Sequence, residues 1–245
     1  MKKSVSHHRS SASIRVKKET RMIQIFDTTD KYPLQKIGKM AGVCWNSPID
    51  DAEKNIKRAK DCISSGHGRV LEYVDIELCI AGYSARAIRE YYTHIGGGPT
   101  RLQESTRYVN CEKFDYYLPP TAAQSEEAKK AYEDCMEQIR KSYATLMEKG
   151  VSKEDAANIL PLGMMTKIVD KRNLRNMINL MNQRLCTRAY IEIRNMANEI
   201  KKALSEYSEE WKWICENLFV PKCEVTGFCI EAKCCGRKPR KTSQN

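Results

Sequence analysis

One stretch of the chain, REYYTHIGGGPTRLQESTRYVN (89–110), combines residue types that proteins use to hold phosphate. The glycines Gly96–Gly98 let the backbone approach a ligand closely, and their amides can form an anion-binding nest. Arg101 and Arg107 add guanidinium groups that bind phosphate through paired hydrogen bonds, and Ser105 adds a hydroxyl. The stretch is predicted to form part of a nucleotide site. The alternative is a flexible loop with solvated arginines, because no P-loop or GxGxxG pattern is present.

A second stretch, NLRNMINLMNQRLCTRAYIEIR (173–194), places polar side chains among apolar ones at helical spacing. Asn173 and Arg175 lie in the first turn of a predicted helix, where free backbone amides favour an anion. Arg184 lies deeper, between apolar positions. The pattern leaves open whether its guanidinium is exposed or is buried and faces a ligand.

The segment GHGRVLEY (66–73) joins a predicted helix to a predicted strand. An imidazole at such a junction, here His67, can face a ligand. Gly66 can equally be the glycine that ends the helix, in which case His67 is structural. Taken alone, this segment therefore indicates no function.

These residues are positioned by elements that hydrophobic periodicity and turn residues predict. In order, the predicted elements are a strand at Met22–Phe26, a helix within 47–66, a strand at 74–80, a helix over 84–94, a helix over 125–149 ended by Gly150, a loop at 160–163 and a long helix over about 172–206. The alternating residues of the second strand are expected to be buried; they are Val74, Ile76, Leu78 and Ile80. The pattern predicts one α/β domain with a mixed sheet and long helices.

The predicted helices carry apolar stripes that should face the core. The stripes include Ile56, Ala59, Cys62 and Ile63 in the first long helix, and Ala128, Ala131, Tyr132, Cys135, Ile139 and Leu146 in the helix over 125–149. In the last helix a methionine-rich stripe is interpreted as core rather than as a cofactor site. Arg188 and Glu192 are predicted to form an exposed i,i+4 ion pair there.

The chain has 245 residues and a formal net charge of +11, and the excess positive charge lies at its two ends. Residues 1–21 carry a net charge of +6 and residues 233–245 carry +5, so the body between them is balanced. RNA or DNA contact is therefore expected only weakly, through the ends. We expect a disordered basic tail at 1–21, one domain at 22–210 and a Cys-rich basic extension at 211–245.

The absence of a run of eighteen apolar residues predicts no transmembrane helix. The N-terminus lacks the apolar stretch of a secretory signal, so a cytoplasmic location with reduced thiols is expected. The chain has eleven cysteines, of which Cys215, Cys223, Cys229, Cys234 and Cys235 cluster near the C-terminus. Their spacing fits a zinc site poorly, so no metal is predicted. The alternative is a zinc site whose ligands are Cys215, Cys223, Cys229 and Cys234. A disulfide or free thiols also stay open.

Taken in order, these segments resemble a known family, the flavin-dependent thymidylate synthases. The family pattern begins with Gly-His and Glu in one segment, passes through Arg-His-Arg and a Ser-x-Arg-Tyr motif, and ends on a helix with Asn-x-Arg, a further Arg and Glu-Ile-Arg. The matching segments here are GHGRVLEY, GYSARAIREYYTHI, LQESTRY, ILPLG, NLR, QRL and EIR, between Met22 and Leu204. The ordered set, rather than any single motif, carries the resemblance.

The resemblance implies an activity as well as a fold. Members of the family methylate dUMP to dTMP, with methylenetetrahydrofolate as the carbon donor and bound FAD, reduced by NADPH, as the source of hydride. They use no enzyme nucleophile on the pyrimidine, so none of the cysteines needs to be catalytic. Members are homotetramers whose sites lie at subunit contacts.

The resemblance also assigns site residues by position. Arg184 matches the arginine that polarises the pyrimidine and stabilises its developing charge. The nucleotide-binding positions are Glu90, Thr93, Gln103, Ser105, Arg107 and Arg184, joined by Arg101. The flavin-binding positions are His67, Arg69, Glu72, His94, Asn173, Arg175 and Asn179.

The chain departs from the family pattern at several charged positions. Arg-His-Arg is replaced by Thr93-His94-Ile95, and the Asn-Glu of the next motif is replaced by Leu102-Gln103. Our hypothesis is that Arg101, Arg69 and the glycine amides take over phosphate binding. The alternatives are methylation of another uridine nucleotide such as UMP, and a non-catalytic nucleotide-binding relative that has lost flavin.

Overall fold

The computed structural model describes residues 22–241, so the tail predicted at 1–21 lies outside the described residues. The strands are β1 Met22–Ile25, β2 Asp75–Ser84, β3 Thr100–Gln103 and β4 Met165–Asn173. The α-helices are α1 Pro33–Cys44, α2 Ala52–Ser64, α3 Ala85–Tyr91, α4 Glu126–Glu148, α5 Lys153–Ala156, α6 Leu174–Arg184, α7 Ile191–Tyr207, α8 Glu209–Asn217 and α9 Lys222–Thr226. Short 3₁₀ segments lie at Gly68–Tyr73, Ala122–Gln124 and Ala157–Ile159. Within this part of the chain no helix is both long and apolar enough to cross a bilayer.

The four strands form one sheet in the order β1-β2-β4-β3. Each of the three described strand pairs is antiparallel, so the sheet is antiparallel where a mixed sheet was predicted. The register places Cys79 opposite Val169, and Arg101 opposite Asp170. The predicted α/β domain is thus confirmed, with helices around an antiparallel sheet.

The central strand β2 confirms its predicted pattern, because Val74, Ile76, Leu78 and Ile80 are all fully buried. Its neighbour β4 was missed, and its last two residues were assigned to the predicted helix over about 172–206. The buried face of β4 carries Thr166, Ile168, Asp170 and Arg172. Two charged residues on the inward face remove the apolar alternation by which a half-buried strand is detected.

The long helix predicted over about 172–206 is wrong in its extent. The chain instead leaves β4 at Asn173, forms α6, turns over residues 185–190 and begins α7 at Ile191. Helix α6 packs against the 3₁₀ segment Gly68–Tyr73, whereas α7 packs against α8 and β1. One straight helix could not reach both sets of neighbours.

The exposed Arg188–Glu192 pair is also wrong. Glu192 is fully buried and accepts hydrogen bonds from the backbone N–H and the hydroxyl of Ser84, at 2.7 and 2.6 Å. The Ser84 hydroxyl in turn caps α3 by accepting from Ala87 N–H at 3.1 Å. Glu192 therefore ties the first turn of α7 to the junction of β2 and α3, a contact that helical spacing alone does not predict.

Helix α4 confirms the predicted element but shows a rotated buried face. Met136 and Tyr143 are buried, whereas Ala128, Ala131 and Cys135 are exposed. The helix packs on a second apolar cluster, separate from the main core, that includes Cys111, Phe114, Met136, Tyr143, Ala156 and Met164. The buried side of α4 is therefore the side that faces this cluster. The apolar residues of the helix cover a broader surface, and their pattern alone does not show which part of it is buried.

Helix α8 continues the main core beyond the boundary predicted at residue 210. Trp211, Ile214 and Phe219 are fully buried and belong to the same apolar cluster as β2 and α7. The Trp211 indole N–H donates to Asp30 O at 2.7 Å. We propose that the domain extends through Phe219 and that the Cys-rich extension begins after it.

Candidate active site

Arg184 lies in the last turn of α6, and its guanidinium is held by two side chains from the end of α3. Its Nη1 donates to Glu90 Oε1, and its Nε donates to His94 Nε2 at 2.9 Å. The Arg184 side chain is 18% exposed, so it is partly withdrawn from water but still reaches the surface. Of the two possibilities that the sequence left open, a fully exposed guanidinium is excluded, because Nε and Nη1 are bonded within the chain.

His94 is buried, with 8% of its surface exposed. Burial, together with the positive charges of Arg184 and Arg172, lowers its pKa to about 4. The imidazole is therefore neutral near neutral pH, and its Nε2 is the acceptor for Arg184, which places the ring proton on Nδ1. A neutral imidazole leaves the positive charge of Arg184 opposed only by Glu90.

A buried polar network lies behind His94, and the sequence did not indicate it. Arg172 and Asp170 form an ion pair with no exposed side-chain surface. The Tyr91 hydroxyl donates to Asp170 Oδ2 at 2.8 Å, and burial raises the pKa of this tyrosine well above its usual value, so it stays a donor. Arg172 Nη1 donates to Asn176 Oδ1 at 2.6 Å. The signal in the sequence was that Asp170 and Arg172 follow Ile168 at every second position of β4 and so share its face.

Asn176 connects this network to the glycine-rich loop through hydrogen bonds. Its side-chain amide donates to the carbonyl oxygens of Gly96 and His94. Gly97 has a φ of +77°, and a Cβ there would lie 2.5 Å from Asn173 Nδ2. Both the left-handed backbone and the close approach therefore require glycine at this position. The loop is thus a fixed wall against the start of α6 at Gly96 and Gly97, and the alternative of a freely moving loop does not describe that part of it.

The remaining flavin-assigned residues form an exposed rim beside α6. Arg175 donates to Glu72 Oε1 at 2.6 Å, with both side chains about half exposed. A Cβ added at Gly68 would lie 3.6 Å from the Arg175 guanidinium, so the segment Gly68–Tyr73 borders the same rim. His67 and Arg69 are exposed at its start, and Gly66 ends α2 with a φ of +76°, as predicted. Asn179 lies exposed on α6.

The nucleotide-assigned residues do not all meet within one chain. Thr93 donates to Glu90 O at 2.7 Å, beside Arg184, and Arg101 donates to Tyr92 O at 2.9 Å while stacking on the Tyr92 ring. Three others lie farther along the chain. Gln103 donates to Thr166 at 3.5 Å, Ser105 Oγ accepts from Arg107 N–H, and Arg107 is exposed and pairs with Glu154 at 3.0 Å.

The C-terminal cysteines do not assemble the metal site considered as an alternative. Cys215 is buried in the main core, where its thiol donates to Lys201 O and burial raises its pKa to about 12. Cys234 instead accepts from Gly236 N–H at 3.3 Å. Across residues 22–241, no group of three or more His, Cys, Asp or Glu residues is arranged to hold a metal ion. All eleven cysteines are free thiols.

The arrangement around Arg184 can stabilise negative charge on a ligand. A guanidinium fixed by a carboxylate and a neutral imidazole needs no reorganisation when charge develops opposite it, which is the basis of electrostatic catalysis. Arg184 also lines a cavity of about 420 Å³, a size suited to a small organic ligand. Glu90 and His94 are not among the residues that line this cavity, so it borders Arg184 but not the two side chains that hold the guanidinium.

Comparison with known proteins finds a matching family model, similar sequences and a similar fold. Residues 24–208 match the family model described as thymidylate synthase complementing protein. The flavin-dependent thymidylate synthase of Clostridium tetani is 30% identical over 233 residues, covering 84% of this chain and 89% of that protein. The enzyme of the same name from Nitratidesulfovibrio vulgaris is 32% identical over 194 residues, covering 74% and 76%. Among solved structures, the UMP/dUMP methylase PolB from Streptomyces cacaoi, bound with 5-Br dUMP, aligns with a TM-score of 0.68 at 15% identity, covering 82% of this chain and 97% of that one.

Proposed function

This chain belongs to the thymidylate synthase complementing protein family, and from that premise we propose that it is a methyltransferase that converts dUMP to dTMP by reductive C5-methylation. The observation that carries the proposal is the guanidinium of Arg184, fixed by Glu90 and by neutral His94. A carboxylate at this position would have no N–H to donate, and a solvated lysine would not be held in one orientation.

Methylation at C5 of a uracil ring requires electron density to move onto the ring and its carbonyl oxygens. Arg184 supplies N–H donors and positive charge for that density, in the manner of an oxyanion hole. Glu90 and His94 orient the guanidinium. The buried pair of Arg172 and Asp170, acting through Asn176, holds the backbone at His94 and so keeps the acceptor ring in place.

The residues assigned to flavin fit an anionic dinucleotide with a flat ring. Arg175 and Arg69 offer cations at an exposed rim, and the backbone at Gly97 approaches Asn173 with no side chain between them. His94 presents a neutral edge. We propose that these residues, with His67, Glu72 and Asn179, hold FAD. Bound FAD would supply the hydride that completes the methyl group, with NADPH as reductant and methylenetetrahydrofolate as carbon donor.

We further propose that the complete site is shared between subunits of a homotetramer. Arg107 and Ser105 lie on an exposed part of the chain, and among residues 22–241 the guanidinium of Arg107 pairs only with the exposed carboxylate of Glu154. Both are therefore available to the nucleotide of a neighbouring copy. Arg101, held against Tyr92 beside Thr93, is the first cation that follows the missing arginines of the family motif.

One observation favours a second candidate, methylation of UMP. The solved methylase that shares this fold is named for both UMP and dUMP. Two of the positions at which this chain departs from the family pattern, Ile95 and Leu102, are 68% and 71% exposed, so neither is packed against the rest of the described chain.

The decisive experiment is anaerobic incubation of the purified protein with methylenetetrahydrofolate, FAD, NADPH and either dUMP or UMP, followed by mass analysis of the product. Formation of dTMP supports the proposal, and formation of a methylated ribonucleotide redirects it to UMP. Tritium release from C5-labelled dUMP reports activation of the ring even when turnover is slow. Protein that stays colourless after reconstitution with FAD, and forms neither product, would be a non-catalytic relative.

A further inference from the structure

The cavity beside Arg184 has one wall that lies beyond the residues matched by the family model. On one side it is lined by the end of α6 and the turn after it, through Arg184 and Arg188. On the other side it is lined by residues 221–237, here called the C-terminal segment. The family match ends at residue 208, so this wall lies outside the matched region.

The C-terminal segment is anchored to the domain just before its start, and its far end is closed by bonds within the C-terminal stretch itself. Before it, Asn182 of α6 donates to Val220 O at 2.7 Å, and Lys201 of α7 donates to Phe219 O at 2.8 Å. At its far end, the backbone of Cys229 bonds to that of Pro239 at 2.7 Å and of Lys241 at 3.0 Å. The residues of this wall are therefore held in place by hydrogen bonds.

The cavity carries an excess of positive charge. Its lining includes Arg188, Lys222 and Lys233, and none of these three forms an ion pair with any residue in the range 22–241. The other two lining arginines are already balanced, Arg184 by Glu90 and Arg237 by Glu224. Glu231 is the one lining carboxylate. Unbalanced cations around a cavity favour a ligand that brings negative charge of its own.

The lining is also partly apolar. Phe228 and Ile230 of the C-terminal segment and Ala189 of the turn border the same space. A ligand that satisfies the lining must therefore combine a flat or apolar body with an anionic tail. Nucleotide phosphates and the glutamate carboxylates of folates both supply such an anion, and the volume of about 420 Å³ leaves room for more than a phosphate group.

We infer that the C-terminal segment binds the glutamate tail of the folate carbon donor, through Lys222 and Lys233, and thereby positions the donor's ring toward Arg184. The identity of the ligand rests on the proposed function. The inference assigns a binding role to a segment outside the matched family region, and it predicts a preference for folates with several glutamates, because each added carboxylate meets unbalanced positive charge.

The test measures binding without turnover, by calorimetry on the full-length protein. The probes are tetrahydropteroate, which lacks glutamate, tetrahydrofolate with one glutamate and with three, and dUMP. The variant is Lys222→Ala with Lys233→Ala. The matched control is Lys57→Ala with Lys141→Ala, which removes two exposed lysines from other helices and leaves the same net charge.

We expect the cavity variant to lose affinity for the triglutamate by about tenfold, since two charge-assisted contacts at an exposed site are removed. Tetrahydropteroate and dUMP should bind it as they bind the wild type, and the control should bind every probe normally. Equal triglutamate affinity in variant and wild type would overturn the inference. A loss confined to dUMP would also overturn it, because the cations would then serve the nucleotide phosphate.

The design separates this inference from the reaction proposed above. Tail-dependent binding in a protein that makes no dTMP would leave the cavity assignment standing and refute the reaction. Formation of dTMP, with folate binding that does not depend on the glutamate tail, would support the reaction and refute the cavity assignment. Both lysines are exposed, so unfolding curves of the variant should match those of the wild type.

Discussion

The neutral state of His94 can be tested by the pH dependence of stability. The change is His94→Gln, which keeps an acceptor for Arg184 but removes the group that titrates. The folded pKa of His94 is about 4, whereas an unperturbed histidine titrates at about 6.5. Between these values the unfolded chain binds more protons than the folded one, so stability conferred by the neutral ring is present above about pH 6.5 and is lost as the pH falls toward 4.

The size of the effect follows from that pKa difference. The full shift corresponds to about 3 kcal/mol, and about 2 kcal/mol of it is lost between about pH 8 and about pH 5. Little discount for solvent is needed, since only 8% of the residue's surface is exposed. We therefore expect the free energy of unfolding of the wild type, relative to His94→Gln, to fall by about 2 kcal/mol over that range.

The measurement is urea unfolding of both proteins at several pH values from about 8 to 5. Carboxylates titrate in both proteins, so their contribution cancels in the difference. The same substitution at exposed His67 controls for the loss of a surface imidazole. A difference between wild type and His94→Gln that stays constant with pH would refute the reasoning, because it would mean that the ring is already charged or solvated and does not anchor Arg184 as a neutral acceptor.

Three further predictions concern the site and the packing behind it. Arg184→Lys keeps a positive charge but loses the fork that bonds to its two partners, so kcat for methylation should fall by a factor of about 100 or more while the dissociation constant for dUMP changes much less; an equal change in both would argue for a simple binding role. Asp170→Ala leaves the buried guanidinium of Arg172 without its carboxylate, so urea unfolding should show a loss of about 3–5 kcal/mol; a loss under about 1 kcal/mol would mean that water reaches the pair. Gly38→Ala should cost about 3 kcal/mol by the same measurement, because its Cβ would lie 1.8 Å from Asn55 O where α1 crosses α2; wild-type stability would show that the two helices can separate freely.

Elements whose signal is local were predictable. Strand β2 alternates strictly, and α2 has an acidic N-terminus and a glycine after its end, so both were located from sequence alone. The N-cap of α2 is Asp51, whose side chain accepts from Lys54 N–H at 3.0 Å. Both signals depend only on the residues of one segment and on the water around it. They can therefore be recognised without knowing which other segments pack against β2 or α2.

Elements whose signal depends on a partner were not predictable. Asp170 and Arg172 resemble exposed residues until each is seen to neutralise the other inside the sheet. Glu192 fits an exposed helical ion pair until Ser84, 108 positions earlier in the chain, is found to donate to it. Charged side chains can be buried only when a specific partner offsets the cost of leaving water, and a sequence does not identify that partner.

The candidate site divides in the same way. By itself the sequence determined which chemical groups are available, namely a guanidinium on the α6 stretch, an imidazole before three glycines, and the ordered motifs that indicate the family. Only the tertiary structure decided that Arg184, Glu90 and His94 meet, that the imidazole is neutral, and that the C-terminal segment lines a cavity together with Arg184. The physical reason is that donor geometry and pKa depend on distances of a few ångströms between residues about 90 positions apart in the chain, and these distances are set by packing of the whole domain.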